Sequence, residues 1–375
     1  MNDNQRSLHG ISNMVGNTPL LKIDFQYKKI RRSIYAKSEN FNLTGSIKDR
    51  IAYNIIDQGY ASGMLKSGGM IIESTSGNTG IAVCAIGRAM GHPVTIFMPD
   101  WLSQERKNMI KGFGAEIILV SKEEGGFLGC IKKSEELAAT IEGSFLARQF
   151  SSKHNPEAHY KTTGPEIWWQ LKSRSLSPDA FVAGVGTGGT IMGTGRYLKE
   201  KNPNIKLHPL EPANMPILST GHQVGKHRIE GIADDFVPPI VDLENLDDIV
   251  GVYDGDAILM AQKLSRELGL CVGISSGANF IGAILAQNKL GDDAVVVTVL
   301  ADDNKKYLST DLMREEPIKA EYIAPDVKLL GMRAINRVCK TCCNPEDCNE
   351  MSWGDMQMKQ DIFLCPRRTE SITAK

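Results

Sequence analysis

The chain has 375 residues, with 43 basic and 44 acidic side chains and a formal net charge of -1. No charge excess points to nucleic acid or a membrane surface as a partner. The longest apolar runs, such as 294–301, are far too short to cross a bilayer. The first ten residues are polar and do not resemble a secretory signal, so we expect a cytoplasmic protein.

Short β-branched segments alternate with amphipathic ones along the chain, which predicts right-handed βαβ units and a parallel sheet throughout. The predicted strands are 68–74, 93–99, 115–120, 179–185, 205–212 and 293–301. The predicted helices are 81–91, 103–114, 190–201 and 255–269. The fold class is therefore α/β with two doubly wound domains. We place a smaller domain at 42–150, a larger one at 1–41 with 151–315, and a Cys-rich extension at 316–375.

A lysine, Lys48, lies between a Gly-Ser turn and a predicted helix in the segment TGSIKDR (44–50). A single lysine at such a place is usually a solvated side chain. A buried amine with a lowered pKa can instead form a Schiff base with a carbonyl compound. Both interpretations stay open on this segment alone.

The segment TSGNTG (75–80) joins a predicted strand to a predicted helix. Backbone N–H groups at a helix N-terminus bind anions, so this turn is a candidate carboxylate site. Capping of the helix without a ligand is the simpler interpretation, because Ser, Thr and Asn are common N-caps. The candidate residues are Thr75, Ser76, Gly77, Asn78 and Thr79.

The glycine-rich segment GVGTGGT (184–190) also precedes a helix, and glycines let the backbone approach a phosphate. Gly184, Gly186 and Gly189 fit the dinucleotide fingerprint, and Glu211 follows where a ribose-binding acid is expected. The segment alone therefore also supports an NAD-dependent oxidoreductase. A similar turn, GISSGAN (273–279), offers Ser275 as a helix cap or as a hydroxyl beside a heteroaromatic nitrogen.

Taken together and in order, these motifs resemble the cysteine synthase and cystathionine β-synthase family of pyridoxal-phosphate enzymes, which have the tryptophan-synthase β fold. The resemblance covers about residues 8–315 and makes the oxidoreductase a remote alternative. The matching segments are VGNTPL (15–20), TGSIKDR (44–50), TSGNTG (75–80), NPEAHYKTTGPEIW (155–168), GVGTGGT (184–190), HRIEGI (227–232), GISSGAN (273–279) and KYLST (306–310).

The resemblance implies a role for each matching residue. Lys48 would carry pyridoxal 5'-phosphate as a Schiff base and move the α-proton, Asn78 would bond the ring hydroxyl, and Ser275 would contact the pyridine nitrogen. The phosphate would lie against Gly186, Thr187, Gly188, Gly189 and Thr190. The substrate carboxylate would be held by Thr75, Ser76, Gly77, Thr79 and Gln149.

The resemblance also implies a reaction, β-replacement or β-elimination on a small amino acid by way of an α-aminoacrylate. The substrate would be O-acetylserine, O-phosphoserine, serine or cysteine, and cysteine synthesis is the expected activity. A sulfide-releasing cysteine lyase and a cystathionine β-synthase-like enzyme are the alternatives. A homodimer is expected as well.

One segment, HRIEGIADDFVPP (227–239), departs from typical cysteine synthases. Those enzymes have the small residues Gly-Ala-Gly after the Gly-Ile pair. Asp234 and Asp235 stand there instead. An acid near the intermediate can act as a general base toward water or a thiol, and it repels anionic sulfide. The alternative is that these carboxylates face solvent or bind an arginine such as Arg228. We predict that one of them is catalytic and shifts the choice of second substrate.

Asp302 and Asp303 also depart from the family, and the sequence assigns them no role.

The C-terminal end of the chain is rich in cysteine. A CxxC pair with two further thiolates is a candidate zinc or iron–sulfur site. A reduced tail and a redox-sensitive segment are the alternatives. The candidate ligands are Cys339, Cys342, Cys343 and Cys348, with Cys365 further along.

Overall fold

The computed structural model describes residue 8, residues 10–335 and residue 337. The strands in this part of the chain are β1 (Leu20–Tyr27), β2 (Ile30–Ser38), β3 (Ile71–Ser74), β4 (Val94–Pro99), β5 (Glu116–Val120), β6 (Phe145–Leu146), β7 (Ala180–Gly184), β8 (Lys206–Pro212), β9 (Val250–Val252), β10 (Val296–Leu300) and β11 (Lys328–Ile335). The helices are α1 (Lys48–Ala61), α2 (Asn78–Ala89), α3 (Gln104–Gly112), α4 (Gly126–Thr140), α5 (His154–Lys161), α6 (Thr163–Lys172), α7 (Gly189–Lys201), α8 (Ile217–Thr220), α9 (Asp254–Leu268) and α10 (Ile274–Leu290).

These strands form two sheets, which confirms the predicted α/β fold class. One sheet has four strands in the order β5-β4-β3-β6, and all its pairings are parallel. Strands β3 and β4 are buried along their whole length, as expected for strands covered by helices on both faces. The other sheet has seven strands in the order β11-β1-β2-β10-β7-β8-β9.

The prediction of parallel pairing throughout is wrong at one edge of the seven-stranded sheet. Strand β1 pairs antiparallel with both β2 and β11, whereas the pairings from β2 to β9 are parallel. Strands β1 and β2 form a hairpin through Lys28 and Lys29, whose φ angles are +49° and +68°. Two left-handed residues make the turn typical of a two-residue hairpin loop, but lysine carries no sequence signal for it.

Strand β11 lies in the segment 316–375, for which the sequence predicted a Cys-rich extension and no strand, and it extends the sheet at that edge. No structural finding tests the predicted domain boundaries, which stay a prediction.

The four candidate cysteine ligands lie outside the described residues. Within the described residues no group of three or more His, Cys, Asp or Glu side chains is suited to a metal ion. No helix in this part of the chain is long and apolar enough to span a membrane.

The parallel strands determine where the turns that carry the predicted site residues meet. The turn after β3 leads into α2, the turn after β7 leads into α7, and the segment after β10 leads to residues 301–303. In parallel α/β sheets the carboxyl ends of the strands form the edge where ligands bind. The predicted site residues therefore lie on loops that both sheets direct toward one place.

Candidate active site

One pocket is lined by loops that follow strands of both sheets. Twelve of the predicted site residues line it: Lys48, Thr75, Ser76, Asn78, Thr79, Gln149, Gly186, Thr187, Gly188, Thr190, Asp234 and Ser275. Gly77, Gly189 and Asp235 are not among the lining residues. The structure thus brings together residues that are up to 227 positions apart in the sequence (275 minus 48).

Lys48 is the first residue of α1 and is held by the contacts of its neighbours. The Ile47 N–H donates to the Ala301 carbonyl at 2.8 Å. The Asp49 carboxylate accepts from the Thr44 N–H at 2.7 Å and the Thr44 hydroxyl at 2.5 Å. Burial lowers the pKa of Lys48, and the carboxylates of Asp234 and Asp302 oppose that shift. A lowered pKa suits an amine that has to lose its proton before it reacts.

The turn after β3 is ordered by side chains from beneath it. The Thr79 hydroxyl donates to Gln149 Oε1 at 2.6 Å, and Gln149 Nε2 donates to the Ser74 carbonyl at 2.8 Å. Below them, the buried Glu73 carboxyl accepts from the N–H groups of Ser74 and Gln149 at 2.8 and 3.2 Å. Burial raises the pKa of Glu73 to about 8. No motif in the sequence indicated that Glu73 supports this turn.

The turn after β7 is packed so closely that its glycines could not carry a side chain. A Cβ atom at Gly186 would lie 2.5 Å from the Gly231 carbonyl oxygen, and one at Gly189 would collide with the Asn155 side chain. Gly188 has a φ of +84°, which favours glycine. Asn155 Nδ2 donates to the Thr187 hydroxyl at 2.8 Å and so braces the turn. A bare turn at the N-terminus of α7 fits a phosphate dianion.

The ring-binding residues fit an aromatic cofactor with polar edges. Asn78 Oδ1 is a buried acceptor that has no hydrogen-bond partner among the described residues. Ser275 is 6% exposed, and its hydroxyl lies at the start of α10 in the same pocket. An unpaired acceptor in a native fold needs an explanation, and a bound ligand with a donor supplies one. The lysine, the phosphate turn and these two residues together fit pyridoxal phosphate.

The two departing aspartates lie in different surroundings. Asp234 is half-buried and lines the pocket of Lys48, whereas Asp235 is exposed and accepts a hydrogen bond from Gln223 Nε2 at 3.1 Å. Burial, with a contribution from Asp235, raises the pKa of Asp234 to about 6, and Lys48 opposes the rise. Neither aspartate binds Arg228. That guanidinium is held by the carboxylates of Asp254, Asp311 and Glu316.

The residue proposed for ribose binding has a structural role. Glu211 accepts from the Leu218 N–H at 2.7 Å and also bonds the hydroxyl of Ser219, so it stabilises the start of α8. It is not among the residues that line the pocket. This geometry gives no support to the oxidoreductase alternative.

Four further residues organise the pocket. Arg106 and Glu230 line it and form an ion pair, while Asp302 and Tyr307 lie fully buried beside it. Glu230 and Tyr307 belong to the motifs HRIEGI and KYLST, so motif membership was a signal for them. Arg106 lies on α3, whose sequence carries no motif, and reasoning from the sequence missed it.

The two sheets and this pocket define an enzyme class that holds a phosphorylated cofactor between parallel-sheet loops. The profile of the family "Pyridoxal-phosphate dependent enzyme" matches residues 11–302. A probable cysteine synthase of Bacillus subtilis is 43% identical over 301 residues, which is 80% of this chain and 96% of that protein. A cysteine synthase of Staphylococcus aureus is 40% identical over 308 residues, which is 82% of this chain and 98% of that protein.

A solved structure is similar as well. The hydrogen sulfide-producing enzyme of Fusobacterium nucleatum is 55% identical, with a TM-score of 0.87, and the match covers 89% of this chain and all of that chain. The chain belongs to the pyridoxal-phosphate-dependent enzyme family, in the branch that resembles cysteine synthase. It is an enzyme that uses pyridoxal phosphate, and the predicted resemblance is confirmed.

Proposed function

We propose that this enzyme releases sulfide from L-cysteine by pyridoxal-phosphate-dependent chemistry at the β-carbon. The observation that carries the proposal is the Asp234 carboxyl in the same pocket as the Lys48 amine. The similarity to a hydrogen sulfide-producing enzyme at 55% identity supports it. In the balanced reaction, L-cysteine and water give L-serine and hydrogen sulfide, with a C–S bond broken and a C–O bond formed.

Each set of pocket residues has its own proposed role in the reaction. Lys48 would hold the cofactor and, as a free amine, move the α-proton of the substrate. Asn78, Ser275 and the turn 186–190 would hold the cofactor ring and phosphate. The turn 75–79 with Gln149 would bind the substrate carboxylate.

The chemistry of the reaction depends on one group that is not a side chain. Pyridoxal phosphate, when bound, withdraws electrons from the α-carbon and lets the β-substituent depart. Asp234 would then accept a proton from the attacking water, because a carboxyl with a pKa of about 6 is largely ionised at neutral pH. The same negative charge would disfavour the return of anionic sulfide.

Cysteine synthesis from O-acetylserine and sulfide is the second candidate. The two cysteine synthases at 43% and 40% identity favour it. The two reactions share every proposed residue except Asp234, whose charge favours water or a thiol over sulfide. The balance between them is therefore a property of this one side chain.

The test compares sulfide release from L-cysteine with cysteine formation from O-acetylserine. In the D234N variant we expect sulfide release to fall about 100-fold, the lower range for a lost general base, while cysteine formation is retained or increased. D235N is the matched control and should keep both rates, because Asp235 points to Gln223. The K48A variant should lose both. An unchanged ratio in D234N would contradict the role of Asp234.

We also propose that the enzyme is a cytoplasmic homodimer. The resemblance to the cysteine synthase family supports the dimer. Measurement of the molar mass in solution tests this point, and a monomeric mass at working concentration would refute it.

A further inference from the structure

Asp302 occupies a central place beside the pocket, although the sequence assigns it no role. It follows β10 and its side chain is fully buried. Its backbone carbonyl accepts from the Gly273 N–H at 3.1 Å, and the residue forms an isolated β-bridge with Ser46. Asp302 thus contacts both the segment that precedes Lys48 and the segment that precedes Ser275.

The Asp302 side chain makes its hydrogen bonds through one oxygen. Oδ2 accepts from Asn78 Nδ2 at 2.7 Å and from the Tyr307 hydroxyl at 2.5 Å. Oδ1 has no hydrogen-bond partner among the described residues. A carboxylate that accepts hydrogen bonds from two buried donors fixes the direction of both.

The orientation of the Asn78 amide follows from this bond. An ionised carboxylate only accepts, so the NH₂ group of Asn78 has to face Asp302. The opposite orientation would bring the Asn78 carbonyl oxygen against a negative oxygen and would lose a charge-assisted bond. The bond fixes which end of the Asn78 amide, the oxygen or the nitrogen, is offered to the pocket that Asn78 lines.

We propose that Asp302 is a positioning residue that fixes the Asn78 amide against the ring of the cofactor. The inference rests on the proposed placement of pyridoxal phosphate at Lys48 and Asn78. Asp302 acts before any cofactor arrives, because its bond to Asn78 lies within the protein. The amide is therefore pre-organised, which reduces the conformational entropy lost on binding.

The second bond of Asp302 leads toward the substrate turn. The Tyr307 ring lies under the Arg106 guanidinium, 4.8 Å from the guanidinium carbon to the ring centroid. Arg106 Nη1 donates to the Ser76 carbonyl at 3.2 Å. Because these contacts are continuous, Asp302 links the residue that faces the cofactor ring to the turn that faces the substrate.

The test uses two substitutions at position 302 and one at its neighbour. D302A removes the acceptor, and D302N keeps an acceptor oxygen of the same shape. We expect D302A to weaken pyridoxal-phosphate binding about tenfold and to change the visible absorption of the bound cofactor, as loss of a charge-assisted bond to a ligand-holding side chain does. D302N keeps an acceptor for Asn78 but adds an NH₂ group that can compete for the opposite orientation, so both properties should fall between those of the wild type and of D302A. D303A is the matched control and should behave as the wild type, since Asp303 contacts Lys306 and not Asn78.

A second comparison separates positioning from general destabilisation. The Y307F variant removes the other bond to Oδ2 and keeps the bond from Asn78, so it should keep the wild-type spectrum even if its melting temperature falls. In an N78A background, D302A should add no further change in cofactor affinity, because its partner is already gone. If D302A is not folded by far-ultraviolet circular dichroism, D302S gives the same comparison.

Three outcomes would overturn the inference. They are wild-type affinity and spectrum in D302A or D302S, a loss in D302N larger than the loss in D302A, and additive losses in the double variant. The proposed cofactor site is tested separately by borohydride reduction of the wild-type holoenzyme. Absence of label on Lys48 refutes that site and this inference together, whereas labelled Lys48 with an unaffected D302A refutes the inference alone.

Discussion

Asp234 and Asp235 are adjacent carboxylates whose surroundings give them different chemistry. Asp234 lines the pocket, and burial raises its pKa to about 6. Asp235 is exposed and bonds Gln223. The preceding residue, Ala233, has a left-handed φ of +51°, and its carbonyl accepts from His227 Nε2 at 3.1 Å. This turn directs the two side chains to opposite environments.

The raised pKa of Asp234 predicts a pH dependence. A general base has to be ionised, and the carboxylate fraction of Asp234 increases as the pH rises through about 6. Sulfide release should therefore rise over this interval, and the rising limb should be absent in D234N. Initial rates from pH 5 to 8 measure it. The same limb in D234N would assign the ionisation to another group.

At the scale of elements, the β1–β2 hairpin is the least expected feature. Its two turn residues, Lys28 and Lys29, are exposed and left-handed. Residues other than Gly, Asn and Asp are sterically disfavoured in that conformation. The hairpin forms nevertheless because β1 and β2 pair over eight residues and are buried against the core.

The hairpin gives a prediction about stability. K29G should raise the free energy of unfolding by about 0.5–1 kcal/mol, because relief of the left-handed strain exceeds the added flexibility of the unfolded chain. K22G, the same substitution within β1, should lower it by about 0.5–1 kcal/mol, since glycine weakens a strand interior. Urea unfolding measures both. A loss of stability in K29G would contradict the strain argument.

At the scale of the whole molecule, a buried ionic cluster fixes the helix of Lys48 to the seven-stranded sheet. Arg50, two residues after Lys48, bonds Glu39 at 2.6 Å and Glu166 at 2.8 Å. Lys37 on β2 bonds Glu166 at 2.8 Å. The cluster contains two cations and two anions, and all four side chains are buried. Burial lowers the pKa of Lys37 to about 8, against the influence of Glu166.

Removal of one member of this cluster should be costly. R50M should lower the free energy of unfolding by about 3–5 kcal/mol, because it leaves two buried carboxylates with one cation. K132A removes an exposed ion pair with Glu136 on α4 and should cost less than about 0.5 kcal/mol. Chemical denaturation of the two variants gives the comparison. Similar losses in both would show that the cluster contributes no more than a surface pair.

Much of the site could be predicted because each motif is local. The turns at 75–80, 184–190 and 273–279 contain their own glycines and hydroxyls, and their strand–turn–helix context places them at the edge of a parallel sheet. Glu73, Arg106 and Asp302 could not be assigned a role, because each acts through a residue that is distant in the sequence. Strand β11 escaped prediction for the same reason, since its pairing with β1 joins the two ends of the described chain.

The sequence by itself determined the family, the cofactor and the lysine at the centre of the pocket, because short motifs in a fixed order carry that chemistry. It left Asp234 and Asp235 equivalent and Asp302 without a role. Only the tertiary structure separated them, since the pKa and the direction of a carboxyl depend on burial and on partners such as Lys48 and Asn78. Those partners come close only when the loops of both sheets meet.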